Sequence, residues 1–436
     1  MYMLSTFRRA VSALLEFQTR RLFKRKPFLV VAVSGAVGKT TTKLAIATVL
    51  SQKYRVLVQH GSFNDEIGLP LACFGLDLPR RIYNPFIWII RLLQMERILH
   101  LTPRFDVLVI EVGTDAPGEI PHALTYLRPD IGVVTAVVPE HMKYFENLDS
   151  VAAEELALVG SSPRVVVGRD DIPSKYRHKY VDKHPDHFYY GSGEPADYVF
   201  AVESASPIEG TSGVMLKHDH QAISALSLKL YGRHVAKAAA AAFAVGDLLG
   251  LTNAEMKRGL EKVVPAAGRM NPLPGLDGST IIDDTYNSSP EALRAAIQAL
   301  LDWPVSGRRI ALIGSMNELG PDSRRYHEEA GSTASAVDLL VTVGEMANSV
   351  LGPAALRAGL DPTCYKAADT PYAAGEFLKL MLRSGDVLLA KGSQNGVFTE
   401  EALGVLLANP SDSRKLVRQS PFWMRIKAKQ FKDTQL

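Results

Sequence analysis

Ser34-Gly35-Ala36-Val37-Gly38-Lys39-Thr40-Thr41 follows the apolar run at residues 28–33 and opens a helical pattern over residues 39–53. Strand, glycine loop and helix in that order make a phosphate cradle. Glycines let backbone N–H groups close around phosphate oxygens, and the helix N-terminus adds its positive dipole end. Lys39 is placed to bridge the terminal phosphates, and Thr40 to offer its hydroxyl to Mg²⁺. The stretch is a variant, because Val33 stands where the strict pattern has a further glycine. The strand and helix on either side outweigh that departure. ATP is therefore the expected ligand of Gly35, Ala36, Val37, Gly38, Lys39, Thr40 and Thr41.

Around this loop, short β-rich runs alternate with helical patterns. Strands are expected at residues 28–35, 55–60, 106–113 and 131–137, and helices at 39–53 and 119–127. Such alternation implies a parallel sheet with helices on both faces. Residues 188–230 change character: Tyr189, Tyr190, Val199, Phe200, Val214 and Leu216 lie among Gly, Ser and Pro, which predicts antiparallel strands on one edge. Helices follow near 234–250 and 253–262. A second alternating block then has strands at 280–284, 309–314, 339–344 and 387–390. The fold class is thus α/β, a P-loop central domain on a parallel sheet plus a C-terminal Rossmann-like domain. The expected limits are a basic amphipathic helix at 1–27, the central domain at 28–269, the C-terminal domain at 270–410 and a basic tail at 411–436. The linker falls in the Pro/Gly-rich stretch 265–278.

Composition bounds the function. The 436 residues are 47% hydrophobic and 22% charged, the balance of an ordinary globular enzyme. Cys73 and Cys364 are the only cysteines, too few for a disulfide framework and without metal-ligand spacing. The net charge of +3 hides two basic ends. Residues 1–27 and 414–436 each carry seven basic side chains against one acidic, which leaves −9 for the body between them. Apolar runs are too short for a membrane span, and Arg8, Arg9 and Glu16 interrupt any secretory signal. The cytoplasm is the expected compartment. Leu4, Phe7, Val11, Leu14, Leu15 and Leu22 recur at roughly helical spacing. They suit either a helix docked on the protein's own body or one lying on anionic lipid at the inner face of the membrane. The basic C-terminus permits the same peripheral contact. Nothing points to nucleic acid.

Two further residues suit the phosphate loop. Glu111 ends the strand at 107–110, and His141 follows the next strand after Pro139-Glu140. Ligands of open parallel sheets bind beyond the carboxyl ends of strands, so both are expected beside the loop. A carboxylate and a neutral imidazole there suit a second Mg²⁺.

The loop, then Asn64-Asp65-Glu66-Ile67-Gly68-Leu69-Pro70, Ile110-Glu111-Val112-Gly113 and Gly118-Glu119-Ile120, resembles the Mur ligases. The resemblance continues through Arg128-Pro129-Asp130, His141, Gly232-Arg233-His234 and Gly268-Arg269. Asp283-Asp284-Thr285-Tyr286-Asn287-Ser288-Ser289-Pro290, Met316-Asn317-Glu318-Leu319-Gly320 and Lys391-Gly392-Ser393 complete it, in family order over about residues 28–405. It is strongest to the branch that joins D-alanyl-D-alanine to a muramoyl peptide in peptidoglycan precursor synthesis. The resemblance implies that a substrate carboxylate attacks the γ-phosphate of ATP, and that an amine converts the acyl phosphate into an amide. It implies catalytic roles for Lys39, Glu111, His141 and Lys391, and Mg²⁺ held by Thr40, Glu111, His141 and Glu155. Asn287 would contact adenine, Asp284 the ribose and Arg269 the phosphates. Closure of two domains over the nucleotide would exclude water from the acyl phosphate.

The sequence also departs from the family. Glu155 stands at the position that best matches a carbamylated lysine, with the same charge on a shorter arm. Ala238 replaces an asparagine, and Gln394-Asn395 follow Ser393 where an arginine is usual. The domain that grips a uridine nucleotide is not represented in the 27 residues before the core. Arginines and aromatics at residues 76–104 (Arg80, Arg81, Tyr83, Phe86, Trp88, Arg91, Arg97) are expected to hold substrate instead, or the donor is lipid-linked. A related ligase with another amine acceptor, and a non-catalytic ATP-binding module at the membrane surface, stay open at this point.

Overall fold

Valines and their branched neighbours fit a pleated, enclosed surface, and Leu29–Ser34 (β1) buries five of its six residues. The computed structural model describes residues 2–25, 28–59, 66–79, 84–101, 104–192, 196–206, 210–217, 221–230, 233–393 and 396–431. Asn64, Asp65, Arg80, Arg81, Tyr83, Gly232, Gln394 and Asn395 lie outside the described residues, as do the side chains of Arg233 and His234. The chain divides into two compact units. One comprises Met1–Pro139, Tyr144–Ala205 and Glu209–Val264, and the other Glu140–Lys143, Ser206–Ile208 and Pro265–Leu436. The division at Pro265 falls at the start of the expected linker.

In the first unit β1 is joined by β2 (Val56–Val58), β3 (Val107–Glu111), β4 (Ile131–Val134), β5 (Arg164–Gly168), β6 (His187–Gly191), β7 (Tyr198–Ser206), β8 (Gly210–Lys217) and β9 (Gln221–Leu228). The sheet order is β2-β3-β1-β4-β5-β6-β7-β8-β9. Pairing is parallel from β2 through β7, and β8 and β9 form an antiparallel ribbon with a bulge between Met215 and Leu216. The antiparallel character expected over 188–230 thus belongs to the outer ribbon, while β6 continues the parallel set. Helix α2 (Lys39–Leu50) packs Ile46, Val49 and Leu50 against the sheet valines and the alanine run Ala238–Ala242 of the helix Arg233–Leu248. Small alanine side chains let the two helices approach closely, which fixes α2 over the end of β1. Ala238 is part of that packing.

Helix α1 (Tyr2–Arg25) buries Val11, Leu15 and Leu22 against the same unit. Ser12 Oγ donates to the Glu66 carbonyl at 3.1 Å, His122 Nε2 lies 2.9 Å from Glu16, and Arg21 pairs with Glu96. Its inner face is thus docked on the protein's own body, while Leu14 and Phe17 face outward. Two helices follow β2: α3 (Gly68–Cys73) and α4 (Pro85–His100). Asn84 caps α4 through the Phe86 N–H, and Trp88, Met95 and Leu99 face inward. No helix among the described residues is long and apolar enough to cross a membrane.

The second unit holds β10 (Asn271–Pro274), β11 (Thr280–Asp284), β12 (Arg309–Gly314), β13 (Leu339–Val343), β14 (Tyr365–Ala368) and β15 (Val387–Lys391), ordered β10-β11-β15-β12-β13-β14. All neighbours are parallel except β10, an antiparallel edge strand with two prolines, a residue that sheets tolerate at edges. The segment expected as a basic tail is instead structural through Phe431. Within its helix Pro421–Gln430, Lys427 is fully buried between Glu400 and Glu401, at 3.0 and 2.6 Å. Arg418 reaches Glu400 and the carbonyls of Thr285 and Tyr286. The cause is that Glu400 is buried, and the cost of burying a carboxylate is offset by these cations.

Candidate active site

The phosphate loop lies between β1 and α2. Gly35 has φ 120° and Gly38 φ 84°, both on the positive side where side chains are disfavoured. A Cβ on Gly35 would collide with the Thr135 side chain, so only glycine allows this approach. Thr135, just beyond β4, donates its hydroxyl to the Val37 carbonyl at 2.6 Å, and Ala36 N–H donates to the Ala136 carbonyl at 2.9 Å. Gly38 caps α2 with no side-chain hydrogen bond, leaving a helix N-terminus suited to an anion. Lys39 Nζ donates to the carbonyls of Gly35 and Ala36 at 2.6 and 3.2 Å.

Register places Glu111 beside this loop, since it pairs with Val33 across β3 and β1. Its Oε2 accepts the Thr40 hydroxyl at 3.0 Å and lies 3.2 Å from Lys43 Nζ. Its backbone N–H donates to Gln59 Oε1 at 2.9 Å. Lys43 and Gln59 carry no role in the sequence-based set. The signal for Lys43 was its place one helical turn after Lys39, which puts both on one face of α2.

Glu155, expected at the metal, lies against the phosphate loop. It is 1% exposed, and its Oε2 accepts the Gly35 N–H at 2.6 Å while its carbonyl accepts the Ser34 hydroxyl at 2.9 Å. The carboxylate thus braces the loop backbone. Its neighbour Glu154 accepts the N–H groups of Gly118 and Ile120 at 2.7 and 2.6 Å, at the start of the helix Glu119–Ala123. Among the described residues no three His, Cys, Asp or Glu side chains form a group that could hold a metal by themselves. Thr40 Oγ1 and Glu111 Oε2 nevertheless make a pair of hard oxygen donors, the kind Mg²⁺ takes alongside water and substrate phosphates.

His141 belongs to the second unit, where its Nδ1 lies 2.6 Å from Glu318 Oε2 and its Nε2 3.6 Å from Glu140. Both His141 (φ 52°) and Glu318 (φ 63°) adopt left-handed backbone, which costs on the order of 1–3 kcal/mol each and is typical of functional loops. Glu318 falls in a motif quoted from the sequence but was given no role. His327 supports that loop: it is buried, accepts the Met316 N–H at Nε2 (3.0 Å) and donates Nδ1–H to the Ser323 carbonyl (2.7 Å). Burial lowers its pKa from the usual 6.5.

The remaining expected residues meet at β11 and β15. Lys391 pairs with Asp284 across these strands at 3.0 Å, as their register requires, and also donates to the Asn287 carbonyl. Burial lowers the Lys391 pKa, against the pull of Asp284. Being 2% exposed, this ammonium acts as a strut under the Asp284–Asn287 turn. Asp284 Oδ1 accepts the Met270 N–H at 3.1 Å. Asp283 holds Gly268 N–H and Thr285, and burial pushes its carboxyl up to about 6. The Arg269 guanidinium stacks on Tyr286 at 4.1 Å, and its buried Nε has no hydrogen-bond partner, a donor suited to an incoming anion.

Known proteins resemble this chain in sequence and fold. Residues 92–246 match the Mur ligase middle domain, and residues 268–394 the Mur ligase glutamate ligase domain. The UDP-N-acetylmuramoyl-tripeptide–D-alanyl-D-alanine ligase of Mycobacterium tuberculosis is 30% identical over 388 residues, covering 84% of this chain and 70% of that protein. Its Escherichia coli namesake is 27% identical over 329 residues, covering 74% and 66%. The chain therefore spans about two thirds of the length of these curated relatives. The MurF ligase of Thermotoga maritima, solved in complex with ADP, is 26% identical with a TM-score of 0.72 over 91% of this chain and 83% of that one.

Proposed function

The chain belongs to the Mur ligase family, and from that premise we propose that it joins D-alanyl-D-alanine to the carboxylate of a muramoyl peptide at the expense of ATP. The names of its relatives support the substrates. The observation that carries the chemistry is the loop itself: a left-handed Gly38, a helix end without a side-chain cap, and the Lys39, Thr40 and Glu111 side chains around it.

In the first step a carboxylate oxygen of the donor bonds to the γ-phosphorus, the bridging P–O bond breaks and ADP leaves. In the second, the amine of the dipeptide bonds to the acyl carbon, inorganic phosphate leaves and the amine gives up a proton. Such reactions depend on positioning and charge neutralisation. Lys39 exchanges its carbonyl partners for phosphate oxygens and balances charge on the transferring group. Backbone N–H groups at the start of α2 hold the phosphates, and Glu155 keeps Gly35 in register for them. Thr40 and Glu111 are the residues that would hold Mg²⁺, which when bound screens phosphate charge. Lys43 pairs with the buried Glu111 carboxylate and holds it in place beside Thr40. Arg269 receives phosphate, and Asp284 and Asn287 receive the nucleoside. Lys391 is a positioning residue that sets the Asp284–Asn287 turn, and the His141–Glu318 pair orients the imidazole.

Phosphate release from ATP, measured with muramoyl-peptide donors with and without D-alanyl-D-alanine, tests the proposal. Sustained release is expected only with donor and dipeptide together. Release with a different amine but not with the dipeptide would reassign the acceptor, and nucleotide binding without release would remove the enzyme reading.

A further inference from the structure

The geometry points to a docking surface for an anionic lipid bilayer, built by α4 with the outer face of α1. Phe86, Ile89, Ile90 and Leu93 recur at three- and four-residue spacing on α4, opposite the inward Trp88, Met95 and Leu99. Phe86 is 73% and Leu93 64% exposed, so α4 is apolar on two sides and buries only one. The same outward face ends in Arg97, and Leu101 follows it. On α1, Leu14 and Phe17 also face outward. Arg21 lies over the Phe17 ring and pairs with Glu96, one turn beyond Leu93 on α4, which joins the two ridges. Of the fourteen large hydrophobic side chains exposed among the described residues, these two helices and Leu101 supply seven. An apolar ridge of this density is a binding surface rather than scatter.

Charge decides what it binds. Helix α1 carries six basic side chains and one acidic one, and the acid, Glu16, is buried against His122. Arg9, Lys24, Arg25 and Arg97 are exposed around the ridge, and Glu96 is occupied by Arg21. An apolar strip with a basic surround matches acyl chains beneath anionic headgroups. A symmetric contact with a second copy would instead set these cations against each other. At 16 residues α4 is about 24 Å long, too short to span a bilayer core of about 30 Å, and it carries Arg91, Glu96 and Arg97. It therefore lies in the interface.

Co-sedimentation of the full chain with vesicles tests this. One set holds three parts phosphatidylcholine to one part phosphatidylglycerol, and the other phosphatidylcholine alone. Recovery with the anionic vesicles only is expected, falling at least about tenfold in about 0.5 M NaCl. The double variant Ile90→Glu, Leu93→Glu loses anionic-vesicle binding at least about tenfold at an unchanged melting temperature, because both side chains are exposed. The triple variant Lys24→Gln, Arg25→Gln, Arg97→Gln also loses binding and flattens its salt dependence. Equal recovery on both vesicle types, recovery on neither, or binding that the double variant leaves intact would overturn the proposal. So would a lipid-free dimer that the double variant dissociates, since the ridge would then belong to a second copy.

Discussion

The Lys39 ammonium rests on the carbonyls of Gly35 and Ala36, two dipoles that hold it at the loop until stronger acceptors arrive. Replacing it with alanine removes the cation without disturbing core packing. Lys39→Ala is expected to slow donor-dependent phosphate release at least about 100-fold, roughly 3 kcal/mol of barrier, with an unchanged melting temperature. Turnover near wild type would exclude the loop assignment. Lys39 and Thr40 were legible because their chemistry is bound to a local pattern of neighbours in sequence. Glu155 was not. Its carboxylate bonds to Gly35, 120 residues away, and only the fold shows that this side chain holds a backbone N–H of the loop. Lys391 is a similar case, since its partners Asp284 and Asn287 come from another strand and turn.

Two elements of the second unit depend on buried ionisable groups, and each gives a prediction. His327 fastens the helix Ser323–Ala334 to the Met316–Glu318 loop in its neutral form. Its pKa is lower folded than unfolded, so its stabilising contribution is present above about 6.5 and is lost as pH falls through the lower folded value. Asp283 works the other way: its contribution is present below 3.8 and is lost as pH rises through about 6. Comparing melting temperatures of wild type and His327→Gln between pH 7.5 and 5.5 isolates the imidazole. The wild type is expected to lose more stability on acidification than the variant, and parallel curves would refute this. The helix Pro421–Gln430 is held by Lys427, which Glu400 and Glu401 both need. Lys427→Met is expected to cost about 3–5 kcal/mol in denaturant unfolding of this unit, and a change below 1 kcal/mol would show the pair to be dispensable. The strands β11, β12, β13 and β15 were legible from apolar runs, whereas β10 was hidden by Pro272 and Pro274 at the sheet edge.

At the scale of the molecule, the alternation of apolar runs and helical patterns disclosed two α/β units, and the division fell at the start of the Pro/Gly-rich stretch. Charge counting was a poorer guide. It gave both ends the same excess of cations, yet Arg418 and Lys427 serve buried glutamates while Lys24 and Arg25 face outward. A one-dimensional sum cannot tell an inward cation from an outward one, because that depends on where the acids are buried. The proposed activity makes the whole chain responsible for one bond rearrangement: a donor carboxylate oxygen passes to phosphorus and leaves with it. Mass analysis of phosphate released from a donor with heavy oxygen at both positions of its carboxylate follows that atom. One heavy oxygen per phosphate, appearing in step with amide formation, is the predicted result. Phosphate released with no label while amide accumulates would contradict the acyl-phosphate route.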